Sequence, residues 1–104
     1  MVISMEVAKE LGAVSAIFHG YIHEKSRKGI MVKGVLVAPI SHKELLALGI
    51  IRKSAIISHL RDLIEHGYIV MTSKTNTPDD KVPFVKLQTS KGYLYMGTTD
   101  KVKL

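Results

Sequence analysis

The stretch from Gly49 to Gly67 constrains this chain more than any other. Ile56, Leu60, Leu63 and Ile64 stand at i, i+4, i+7 and i+8, which makes one apolar stripe at the helical period. Arg52, Lys53, Ser54, Ser58 and Arg61 fall off that stripe. Gly67 ends the helix, and Tyr68-Ile69-Val70-Met71 behind it reads as extended chain. Ahead of it, Ser41 is followed three residues later by Glu44, the signature of a capping box. That pattern starts a short helix over Ser41–Leu48, with Leu45, Leu46 and Leu48 turned to the core. Gly49 then supplies a tight turn. Two helices joined in this way, the second with small and basic residues on its free side, read as a helix-turn-helix.

Upstream, Ser4 caps an expected helix over Met5–Leu11, and Gly12 breaks it. A second helix is expected over Ala13–Lys25. Its residues Val14, Ile17, Phe18, Tyr21 and Ile22 recur with helical spacing, so it reads as the central scaffold. The segment Ile30–Ile40 is rich in β-branched residues and is interrupted by Gly34, which predicts one short strand. Downstream, Tyr68–Ser73 is expected as a strand, residues 75–81 as a polar loop and Val82–Leu87 as the returning strand. Pro83 places its end of that strand at an edge. Gln88 to Met96 reads as a helical or irregular segment, capped by Thr89 or Ser90 and ended by Gly97. Residues 98–104 form a polar tail that can fray.

The chain has 104 residues, enough for one domain with one modest core. At 46% hydrophobic it is expected to fold. There is no cysteine, hence no disulfide and no sulfur-based metal site. No apolar run reaches the roughly 18 residues of a membrane span, and the amino-terminal residues lack a secretion pattern. A cytoplasmic location is the expectation. The formal charge of +6 suits a polyanionic partner but does not by itself select one.

Taken in order, these elements resemble the winged-helix superfamily of DNA-binding proteins. The run Leu60-Arg61-Asp62-Leu63-Ile64-Glu65-His66-Gly67-Tyr68-Ile69 resembles the end of a winged-helix recognition helix as it leads into the wing. Leu87-Gln88-Thr89-Ser90-Lys91-Gly92 is similar to the Leu-Thr-x-Lys-Gly passage that follows the wing in small bacterial repressors, with Gln88 inserted. Residues Glu6 to Glu24 are similar to the amino-terminal domains of phage and plasmid replication organisers. The resemblance implies an α+β fold, a single winged helix-turn-helix domain over 1–104. Its implied order is helix, helix, strand, helix, helix, hairpin, helix.

On that reading Arg52 and Lys53 meet a guanine edge or a phosphate, and the alternative is that they are solvated charges. Ser54 and Ser58 let the helix approach a groove, though Ser54 can instead satisfy nearby backbone. Arg61 meets a phosphate or pairs with Glu65 at i+4. Ile57 either packs inward or touches a thymine methyl, and packing is the favoured reading. Ser41 and Lys43 at the start of the shorter helix can clamp a phosphate. Lys74 and Lys81 flank the loop and can reach DNA, against the opposing charge of Asp79 and Asp80. Lys25, Arg27, Lys28 and Lys33 form the densest basic cluster. The pair His19 and His23 has ligand spacing, but Gly20 stands where a zinc protease needs glutamate, and no third ligand is specified. No enzyme, no metal and no cofactor are expected.

Three functions are consistent with these readings. The first is a transcriptional regulator that binds double-stranded DNA as a homodimer, its contacts between copies made by the first two helices or by Tyr93–Met96. The second is a phage or plasmid replication-origin binder with a replication partner. The third is a protein-interaction module that has no DNA contact.

Overall fold

Ser4 starts the first helix: its Oγ accepts from the Val7 amide at 3.3 Å, and Met5–Leu11 forms α1. Gly12 separates it from α2, Ala13–Ser26. The structure, a computed structural model, describes residues 1–32, 34–50, 52–72 and 93–104. Within them α2 is the scaffold that the sequence suggests. Phe18 and Ile22 are buried on one side and Ala16, His19 and Gly20 on another. The helix packs against α1 and against three further elements introduced below.

The next segment differs from the single strand expected over residues 30–40. It is a hairpin of β1, Ile30–Val32, and β2, Val35–Ser41, in which Val32 faces Val35. Gly34, read from sequence as an interruption, sits between the strands at φ +83°, the left-handed backbone that two-residue hairpin links require. β1 accompanies β2 only as far as Val37. Pro39, with no N–H to donate, lies past that point.

β2 runs directly into α3, His42–Leu46. The capping box is present: the Glu44 amide donates to Ser41 Oγ at 3.1 Å, and the Ser41 amide donates to Glu44 Oε1 at 2.8 Å. After the turn comes α4, Lys53–Glu65. It ends in a Schellman arrangement, with the Tyr68 amide donating to Leu63 O and the Gly67 amide to Ile64 O. β3, Ile69–Thr72, follows. The expected loop over 75–81 and returning strand over Val82–Leu87 lie outside the described residues.

The expected final helix is overturned, and with it the winged helix-turn-helix order. Tyr93–Thr98 is a strand, β4, so the described order is helix, helix, strand, strand, helix, helix, strand, strand. The four strands make one antiparallel sheet in the order β1-β2-β4-β3. β4 occupies the gap between β2 and β3, pairing Met96 with both Ala38 and Met71. Gly97 does not end a helix. A Cβ there would stand 2.0 Å from Leu36 O, so the residue is glycine because two strands close on it. Beyond β4, the Thr99 amide donates to Tyr68 O at 3.0 Å and Val102 packs against the core.

The core lies between the sheet and the helices. Phe18 and Ile22 of α2 meet Ile40 of β2, Leu45 of α3, Ile56, Leu60 and Leu63 of α4, and Met71 and Met96 of the sheet. α2 packs against α4, β2 and β4 as well as α1. Each large apolar side chain so buried contributes on the order of 1.5–3 kcal/mol.

Candidate functional site

The helical period of α4 decides which of its residues meet solvent. Ile56, Leu60 and Leu63 have no exposure, and Ile57 and Ile64 pack against the core at its margins. Ile57 therefore takes the inward role favoured for it. Ser54, Ser58 and Arg61, at i, i+4 and i+7, are exposed along the opposite side. Arg52, the residue before the helix, is exposed as well, and Lys53 is the first residue of α4. Arg61 also has an interaction within the chain. The exposed row thus has two hydroxyls of small side chains between two guanidinium groups.

Two sets of contacts hold α3 and α4 in place that their own sequences do not announce. His59 Nδ1 lies 2.7 Å from Ser15 Oγ, and its ring stands edge-on to Phe18. His59 is thus a tie between α4 and α2. The second set joins α3 to α2. Tyr21 donates from its hydroxyl to Glu44 Oε2 at 2.5 Å, and the Lys25 ammonium pairs with the same carboxylate. Burial works against the charge on Glu44. The hydrogen bonds from Lys25, Tyr21 and the Ser41 backbone outweigh it and hold the carboxyl below its usual range. Burial, followed by the Glu44 hydrogen bond, pushes the Tyr21 phenol up to about 12. Tyr21 and Lys25, four residues apart on α2, are the only local hint of this network in the sequence.

The other proposed contacts are distributed differently. Ser41 uses its hydroxyl in the capping box, so the amino end of α3 is filled by the chain's own oxygen atoms. Lys43 is exposed on α3. Lys25 is engaged by Glu44, whereas Arg27 and Lys28 are exposed past the end of α2. Lys33, Lys74 and Lys81 lie outside the described residues, as do Asp79 and Asp80.

His19, His23 and His66 serve packing and local pairing. His19 is buried beside Tyr68, ring edge to face, with both ring nitrogens unpartnered among the described residues. Burial, then the charge of His23, lowers its pKa. His23 Nδ1 is 2.9 Å from Thr98 Oγ1. No group of three metal-ligating side chains occurs among the described residues. A second cluster joins α1 to the end of α4. Tyr68 donates from its hydroxyl to Glu10, His66 Nε2 lies 3.5 Å from Glu10 Oε1, and the Lys101 ammonium stands 4.4 Å over the Tyr68 ring. The Glu10 hydrogen bond, with burial behind it, pushes the Tyr68 phenol up to about 12.

No helix among the described residues is long and apolar enough to cross a membrane. No protein-family model, no curated protein and no solved structure matches the chain.

Proposed function

We propose that this protein binds double-stranded DNA sequence-specifically, laying the outward side of α4 in the major groove, and that it acts in the cytoplasm as a homodimeric transcriptional regulator. The observation that carries the reading is the row Ser54, Ser58 and Arg61, exposed opposite the buried row Ile56, Leu60 and Leu63. Small hydroxyl side chains allow a helix to come close to base edges, and the flanking guanidinium groups suit guanine or phosphate. The net charge of +6 favours the same partner. An apolar protein partner is less well served, because no large apolar side chain of α4 is among the exposed ones.

The test is an electrophoretic titration with duplexes selected from a random pool. The double variant Arg52→Ala with Lys53→Ala, and separately Ser58→Glu, should each weaken binding about tenfold or more at an unchanged thermal midpoint. Affinity should fall steeply as salt rises. Unaltered affinity in both variants, or a flat salt response, overturns the proposal.

A further inference from the structure

In the strand order β1-β2-β4-β3, β1 is outermost, and its inner flank is taken by Val35–Val37 of β2. Among the described residues no strand lies on its outer flank. Proteins usually guard such an edge by keeping it short or with charge, proline or a covering element, because its open backbone groups can template a further strand. β1 is short, at three residues, but it carries neither charge nor proline and shows Ile30 and Met31, exposed by 47% and 62%. Beside it runs a groove of about 570 Å³, with Met31, Leu36 and Val102 among its apolar walls and Arg27, Lys103 and Asp100 among its charged ones. None of those three charges has an ion-pair partner among the described residues.

The charge pattern selects the occupant. At +6, two copies of this chain repel one another over most of their surfaces. A meeting place between copies needs an apolar centre and charges of both signs, and the β1 groove has both. In a twofold arrangement each residue pairing occurs twice, so Asp100 of each copy can face Arg27 or Lys103 of the other. We propose that β1 pairs antiparallel with β1 of a second copy about a twofold axis, joining the two sheets edge to edge, with Met31 packed across the groove and Asp100 set against the other copy's cations. α4 packs on α2, α3 and β3, at the other end of the sheet, so its outward row is left uncovered. The inference rests on the DNA reading only for the use of the dimer, which would present two copies of α4 to two half-sites.

Sedimentation equilibrium on the full chain, without DNA, tests it. The unmodified chain should be a dimer at micromolar concentration. Met31→Lys and Asp100→Arg should each raise the dissociation constant about tenfold or more. Adding Arg27→Asp to Asp100→Arg should restore most of the association. A monomeric parent overturns the proposal, as does a dimer that neither single variant weakens. Circular dichroism establishes that each variant is folded, and should Met31→Lys fail to fold, the exposed Asp100→Arg decides the matter. Ser58→Glu separates the two proposals: it should lose DNA and keep the dimer. Should it and the Arg52→Ala, Lys53→Ala double variant both bind DNA as the parent does, the DNA reading falls and the β1 interface stands.

Discussion

The two long sides of α4 belong to one 13-residue helix and answer to different demands. Inward, Ile56, Leu60 and Leu63 are sealed in the core and His59 reaches Ser15 of α2. Outward, Ser54 and Ser58 are exposed hydroxyls. The comparison teaches that the outward direction is not chosen by the outward residues. It is set by the apolar row behind them, which can dock on α2 in only one rotation. Residues that could read a partner are therefore free to vary, while those that aim them are not.

The largest effect should come from attacking the inward side. Leu60→Ala should cost about 2–5 kcal/mol in chemical denaturation, through lost burial and the cavity left behind. Ser58→Ala, two residues away on the solvent side, should stay within about 0.5 kcal/mol. Similar costs for both would break the comparison. A smaller effect sharpens it. Glu44→Gln keeps the side-chain shape but loses the charge held by Lys25, Tyr21 and the Ser41 backbone, and should cost about 1–2 kcal/mol at neutral pH. The sign of its pH dependence follows from the lowered pKa. Native Glu44 stabilises fully above the ordinary value of 4.5 and loses that contribution as pH falls through its lower folded value. The Glu44→Gln deficit should therefore shrink in acid, and a deficit constant between neutral and acid pH would remove the charge from the account.

The smallest effect belongs to His19. Burial keeps its imidazole neutral, so the unfolded chain takes up a proton first as pH drops below 6.5. Stability should be full above that value and decline below it, toward the folded pKa. His19→Phe should flatten this decline, because no buried ring then has to charge. Thermal midpoints of the two chains compared from neutral to mildly acid pH check it, and parallel curves would count against it.

What could be read from the sequence was what local chemistry fixes. Ser4, the Ser41 and Glu44 pair, and Gly67 mark helix ends through bonds spanning a few residues, and the structure has caps at each. The row Ile56, Leu60, Leu63 gave the orientation of α4 for the same reason. β4 was illegible because its state depends on distant partners. Tyr93–Thr98 can look helical alone, but it is a strand once β2 and β3 stand on either side. Gly97 and Gly34 were misread in kind: both are breaks in a local pattern, and only the neighbouring strand shows one to be a close approach and the other a hairpin link. On α4, the exposure of Ser54, Ser58 and Arg61 follows from their place off the apolar stripe. The helix's anchorage by His59 does not, since Ser15 is 44 residues away and neither residue signals the other.

Of the described strands, β4 comes last in sequence, yet it lies between two that precede it. Until residues 93–98 leave the ribosome, no described strand joins β2 to β3, and the part of the sheet that β4 supplies beneath α2 is missing. The sheet is therefore completed out of chain order: among the described residues, three strands and four helices precede the six-residue segment that lies between two of those strands.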